Sequence, residues 1–206
     1  MLRVDKLHFS YPDRAVFSGL SFDWTPGLAC VCGDESTGKT TLLRLLAGEL
    51  SPSEGHISLG ERREGSSAQA LAQQVFYADP RSSLLDPSLA QDWLASQAAR
   101  YPTWDAQALA EHVQGFGLTE HLPKPFFALS TGTRRKVCQA AALASGAALT
   151  LMDDPHAGLD KPSLRYLAEA LAKTVQLSRI VVVAHYETLP GVPWDQVLTL
   201  RPVGSV

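Results

Sequence analysis

Leu28-Ala29-Cys30-Val31-Cys32-Gly33-Asp34-Glu35-Ser36-Thr37-Gly38-Lys39-Thr40-Thr41-Leu42-Leu43-Arg44-Leu45 is the stretch from which the rest of the chain is read. It runs from an apolar strand through a loop spaced G-x-x-x-x-G-K-T into a helix with leucines at helical spacing, which is the pattern of a phosphate-binding loop. Glycines let several backbone N–H groups turn inward on phosphate oxygens, and the helix N-terminus adds its partial positive charge. Lys39 is expected to reach the terminal phosphates, and the Thr40 hydroxyl to take one Mg²⁺ position.

The chain has 206 residues, 45% hydrophobic and 19% charged, enough for a sizeable core and short enough for one domain with a subdomain. A formal net charge of −3 makes no electrostatic case for nucleic acid or a membrane surface as partner. The N-terminus lacks the apolar core of a signal peptide, and no apolar run approaches the roughly 18 residues a spanning helix needs. A cytoplasmic chain without direct membrane insertion is therefore expected. Cys30, Cys32 and Cys138 form no ligand set and read as small buried hydrophobes.

Either side of the loop, alternation predicts antiparallel strands over Leu2 to Phe9 and Val16 to Trp24, joined at Tyr11-Pro12-Asp13-Arg14. The helix after the loop should end near Ala47-Gly48. A turn over Ser51 to Gly55, a strand over His56 to Leu59, a polar loop over Gly60 to Ser67 and a strand over Gln74 to Tyr77 follow. From Pro80 to about Phe127 the pattern becomes helical, over Ser88 to Arg100 and Trp104 to Phe116, with Trp93 and Trp104 as packing anchors. After Ser130 comes another helix, then a strand over Ala148 to Met152 ending in Asp153-Asp154. A helix over Pro162 to Gln176 and strands over Ile180 to Ala184 and Gln196 to Leu200 complete the chain. Strands alternating with helices, several apolar on both faces, predict an α/β fold with a parallel sheet.

Such sheets bind ligands beyond the carboxyl ends of their strands, where Gly33 to Thr40, Asp153-Asp154 and His185 all fall. An acid ending an apolar strand is the usual second half of a phosphate-loop site, because Mg²⁺ needs an oxygen ligand opposite the phosphates. Asp153 fits that role. Leu129-Ser130-Thr131-Gly132-Thr133 opens a helix with small hydroxyl residues, which reads either as a simple N-cap or as an anion contact. His8, His56, His112, His121 and His156 have no ligand spacing and read as structural.

Taken in order, Gly33 to Thr40, Leu129 to Thr133, Asp153, Gly158-Leu159-Asp160 and His185 resemble the ATP-binding cassette, the ATPase subunit of ABC transporters, over nearly the whole chain. The resemblance implies a phosphate-loop NTPase fold of that type. Its mainly parallel core would be preceded by an antiparallel part, with a helical subdomain inserted at about 81–135 of a single domain spanning 1–206. It implies ATP and Mg²⁺ as cofactors. Tyr11 would stack on adenine, and Gly33, Asp34, Glu35, Ser36, Thr37, Gly38, Lys39, Thr40 and Thr41 would form the Walker A loop. Asp153 would be the Walker B aspartate and a metal ligand with Thr40. Ser130 and Gly132 would be the signature residues, reaching the γ-phosphate held by the opposite subunit of a head-to-tail dimer. Asp160 would lie in the D-loop, and His185 would be the switch histidine. The partners implied are an integral membrane transporter subunit and a second cassette, identical or not, at the inner face of the cell membrane.

Two positions depart from the family pattern. Asp154 stands where a glutamate usually orients or deprotonates the attacking water, so hydrolysis is expected to be slow. The glutamine expected after the strand over Gln74 to Tyr77 is absent; the chain reads Ala78-Asp79-Pro80-Arg81, and Asp79 is the nearest polar substitute. Three readings therefore stand: an ATP-hydrolysing transporter subunit with Lys39, Asp154 and His185 as catalytic groups, a degenerate nucleotide-gated subunit of a heterodimer, and a small-molecule kinase. The last explains neither Leu129 to Thr133 nor His185.

Overall fold

The computed structural model describes residues 1–60, 74–174 and 178–202. Most of the loop read over Gly60 to Ser67, and the last two residues of the helix read to Gln176, lie outside that range.

Strands β1 (Leu2–Tyr11), β2 (Arg14–Trp24) and β4 (Glu54–Leu59) form an antiparallel sheet in the order β2-β1-β4. The first hairpin is longer than alternation predicts, because Tyr11 pairs with Arg14 and leaves only Pro12 and Asp13 at the tip. A second sheet, all parallel, contains β3 (Gly27–Cys32), β5 (Val75–Tyr77), β6 (Leu149–Asp153), β7 (Ile180–His185) and β8 (Gln196–Thr199) in the order β5-β6-β7-β3-β8. Every residue of β3, β6 and β7 is buried.

Their continuous apolar runs follow from having a core on each side. Ala29, Val31, Leu149, Leu151 and Val182 face one core, which α1 (Lys39–Leu46) and the inner face of β1 and β2 close through Leu42, Leu43, Leu2 and Leu7. Leu28, Met152, Val181 and Val183 face the other. That second core is closed by α4 (Thr131–Ala144) and α5 (Lys161–Thr174) and extends to α2 (Ala90–Arg100) and α3 (Ala106–Gly115). Alternate side chains of one strand thus serve different cores. Cys30, Cys32 and Cys138 are buried free thiols, and burial pushes Cys138 up to about 12.

The helices read from Ser88 and Trp104 start two residues later, at Ala90 and Ala106, and the helix read from Pro162 starts one residue earlier, at Lys161. Asp105 accepts the Ala108 N–H at 2.9 Å, so α3 starts at Ala106 and Trp104 lies just outside it. Trp104 and Trp93 both pack against the second core. Trp93 meets the fully buried Phe126 edge to face, with centroids 5.5 Å apart at 80°. The Arg134 guanidinium lies 5.5 Å from the same ring centroid.

Phe126 joins α2, α4 and the approach to the Ser130 turn. Phe126→Ala is expected to cost about 3–5 kcal/mol, the range for emptying a buried aromatic site. Urea unfolding followed by tryptophan fluorescence measures this, and a loss below about 1 kcal/mol would show that the helices are anchored elsewhere.

Candidate functional site

Strands β6, β7 and β3 are consecutive neighbours, and their register sets Cys32 opposite His185 and Ala184 opposite Asp153. The phosphate-loop motif, the two aspartates and the histidine therefore meet at one edge of the sheet, beside a cleft of about 380 Å³.

The loop from Gly33 to Gly38 is held from within. Thr37, almost fully buried, donates its hydroxyl to the Asp34 carbonyl at 2.9 Å, and Lys39 Nζ donates to the carbonyls of Gly33 and Asp34, each at 2.6 Å. Gly38 turns into α1 with φ 99°, and a Cβ there would meet Val16 at 2.6 Å. Only glycine combines that left-handed backbone with that approach. α1 has no side-chain cap and no acid in its first turn, so no side chain of its own competes for its leading N–H groups. Thr40 and Thr41 line the cleft, and the Thr40 hydroxyl donates to Asp153 Oδ2 at 2.8 Å.

Asp154 and His185 form a pair, with His185 Nδ1 2.9 Å from Asp154 Oδ1. Asp154 has φ 46° and donates its N–H to the Ala184 carbonyl at 2.8 Å, which aims its carboxylate along the end of β7. Arg135 Nη2 lies 3.9 Å from the other carboxylate oxygen. His156, read as structural from sequence, packs edge-on against His185 with centroids 4.1 Å apart. Burial, then the neighbouring His185, pushes His156 down to about 4, so it sits there as a neutral ring.

The segment after β5 corrects one expectation. Asp79 does not line the cleft; its carboxylate accepts the backbone N–H and Nε of Arg81, at 2.9 and 3.0 Å. Arg81 lines the cleft instead and donates from Nη2 to Asp153 Oδ2 at 2.6 Å. A short side chain one residue before a proline bonds its own turn, while the longer arginine spans to β6. Burial disfavours the charged guanidinium, but Asp79 and Asp153 outweigh it and hold Arg81 above its ordinary value. Arg134 on α4 brackets this segment, donating to the Pro80 carbonyl at 2.9 Å, the Ser82 carbonyl at 3.0 Å and the Phe126 carbonyl at 3.2 Å, with Asp86 as its ion partner.

Tyr11 lies at the rim, its hydroxyl 3.4 Å from Thr41 Oγ1 and its ring edge-on to Phe9. Glu35 and Ser36 also line the cleft, whereas Gly33, Asp34 and Thr37 lie in the loop behind it. Ser130, Gly132 and Asp160 do not line it. Ser130 caps α4 by accepting the Thr133 N–H at 3.1 Å, and Asp160 Oδ1 accepts the Ser163 N–H at 2.8 Å at the start of α5. The Ser163 bonds hold the Asp160 carboxyl below the usual range. A Cβ on Gly132 would come 2.2 Å from the Gly158 carbonyl, so these two turns touch backbone to backbone.

Sequence reasoning missed Arg14, which donates to the Ser36 carbonyl, and also Arg81, His156 and Tyr186. Arg81 alone left a signal, as the cation beside the missing glutamine. For Mg²⁺, the structure offers the Thr40 hydroxyl and the Asp153 carboxylate, two hard oxygens on one hydrogen bond. Among the described residues no group of three or more His, Cys, Asp or Glu could hold a metal. A site with few protein ligands fits Mg²⁺, which takes most of its shell from water and phosphate oxygens.

The profile of the ABC transporter family matches residues 17–157. The chain is 34% identical over 206 residues to the cytochrome c biogenesis ATP-binding export protein CcmA of Alkalilimnicola ehrlichii, covering 98% of this chain and 87% of that one. Among solved structures, an ATP-binding subunit of an ABC transporter superposes with TM-score 0.78 at 22% identity, over 90% of this chain and 79% of the other. CbiO1 of Clostridium perfringens, part of the ABC transporter complex cbiONQ, superposes with TM-score 0.72 at 22% identity, over 97% and 84%. With a motif-bearing loop, an acid pair and a histidine on three adjacent strand ends, this chain belongs to the ABC transporter family, as an ATP-binding ATPase subunit.

Proposed function

We propose that the chain is a single cassette domain with a helical insertion at about 81–135. It binds Mg-ATP in the cleft, closes head-to-tail on a second cassette and drives a separate integral membrane subunit from the cytoplasmic face. The observation that carries this reading is the convergence of the Lys39 loop, the Thr40–Asp153 bond and the Asp154–His185 pair on neighbouring strand ends. CcmA is named as an export protein and CbiO1 as part of a transporter complex, which supports a membrane partner for this chain too.

Residues Gly33 to Thr41 cradle the triphosphate, with Lys39 exchanging its loop carbonyls for β- and γ-phosphate oxygens. Tyr11 at the rim stacks on the base. Thr40 and Asp153 hold the Mg²⁺, which when bound neutralises phosphate charge. Asp154 accepts a hydrogen bond from the attacking water and begins to take its proton, while His185 fixes the carboxylate and faces the γ-phosphate. Ser130 and Gly132 act on the γ-phosphate held by the opposite subunit, and Asp160 lines that interface; that all three lie outside this chain's own cleft supports the reading.

Lys39→Ala is expected to weaken ATP binding severely in calorimetry, because no loop N–H replaces the lysine charge; equal affinities would defeat the assignment. ATP, and not ADP, should bring two chains together, since only the γ-phosphate gives the closed dimer a differential affinity. Light scattering of Asp154→Asn, in which hydrolysis is suppressed, checks this. A monomer at saturating ATP for both that variant and the wild type would point to a non-identical partner cassette.

Asp154 is one methylene shorter than glutamate, so its carboxylate stands about 1 Å back from the water, a misplacement that can cost roughly a hundredfold. Hydrolysis is therefore slow but present. Asp154→Glu is expected to raise kcat several-fold with little change in ATP affinity, read from steady-state phosphate release. A slower variant would mean that the left-handed backbone at this position, and its bond to His185, are built around aspartate.

A further inference from the structure

Asp153 Oδ2 accepts two hydrogen bonds, from the Thr40 hydroxyl at 2.8 Å and from Arg81 Nη2 at 2.6 Å. The Asp153 side chain is 4% exposed and that of Arg81 50%. A buried carboxylate at a strand end is costly unless a cation or several donors neutralise it. Here the neutralising group is a side chain of the same protein, on the oxygen that Thr40 shares.

The surroundings hold that guanidinium in place without locking it there. Asp79 takes the Arg81 backbone N–H and Nε, which sets the root and the middle of the side chain. Arg134 holds the carbonyls on either side of Arg81, those of Pro80 and Ser82, so the backbone at this position is fixed to α4. The guanidinium is planar and turns as one unit, so lifting Nη2 off Asp153 also turns Nε on Asp79; both contacts belong to the outer end of a half-exposed side chain, whose movement needs no backbone shift. The tip swings away from Asp153 without disturbing the fold, since its other anchor, Asp79, lies outside the cleft.

On the reading that this cleft takes Mg-ATP, we propose that Arg81 is a built-in cation at the metal position, which a divalent ion must displace from Asp153 when nucleotide binds. Two effects follow from one charge. Arg81 raises the Mg²⁺ concentration needed for tight nucleotide binding, because the ion competes with a charge-assisted hydrogen bond already made. Arg81 also lowers the penalty for nucleotide binding without Mg²⁺, because it keeps one positive charge among Asp153, Asp154 and the phosphates.

The test is calorimetric titration of ATP into the full chain across a series of Mg²⁺ concentrations and in EDTA, for the wild type, Arg81→Gln and Arg81→Lys. In Arg81→Gln the Mg²⁺ concentration at half-maximal affinity is expected to fall about tenfold, and the affinity in EDTA to drop by a similar factor, the scale of one charge-assisted bond. Arg81→Lys keeps a cation within reach of Asp153 and is expected to stay within about twofold of the wild type on both measures, on the same scale. Equal Mg²⁺ midpoints for wild type and Arg81→Gln, or an Arg81→Lys variant that matches Arg81→Gln, overturn the proposal. Failure of all three proteins to bind ATP at saturating Mg²⁺ would instead overturn the nucleotide reading on which it rests.

Discussion

The hydrogen bond from Thr40 to Asp153 ties the first turn of α1 to the end of β6, across the intervening strand β7. Its 2.8 Å length requires that β3 and β6 end at the same level and that α1 start where β3 stops. Both conditions come from the sheet: β7 pairs with β3 on one side and β6 on the other, so a single strand sets the height of both. Because every residue of these three strands is buried and alternate side chains fill different cores, a one-residue slip would send each side chain into the wrong core and draw the polar strand ends inward. The cost of such a slip is what makes the site rigid.

Around that edge sit three polar or charged side chains. Lys39 lies over its own loop carbonyls, Arg81 on Asp153, and His185 on Asp154. Each is a strong polar contact that places the group at the cleft. The contrast is with Thr37 and Gly38, which are held by burial and close packing.

Arg134 and Gly132 connect this edge to the helices. Arg134 gathers the Pro80, Ser82 and Phe126 carbonyls on one guanidinium, and so fixes the cleft segment, α4 and the buried aromatic anchor to one another. Two residues earlier on the same helix, Gly132 admits the Gly158 carbonyl, which couples the start of α4 to the turn after Asp154. A displacement at either end of this connection is carried through packed backbone and not through a flexible linker.

Much was legible in the sequence because it depends on neighbours along the chain. The loop, its helix, the apolar runs of β3, β6 and β7, the acid after Met152 and the family order of motifs all follow from local spacing and periodicity. The packing roles of Trp93 and Trp104 followed in the same way, from the apolar character of their surroundings. What the sequence could not decide were contacts between residues far apart in the chain. Asp79 looked like the polar substitute because it stands near the position of the missing glutamine. The structure turns it onto its own turn and sends Arg81 across 72 positions to Asp153. His156 against His185, Arg14 on the Ser36 carbonyl and the Gly132–Gly158 approach belong to the same class. One-dimensional order determines which residues can form elements and caps, but the partner of a long side chain is set by where the sheet register and the two cores deliver it.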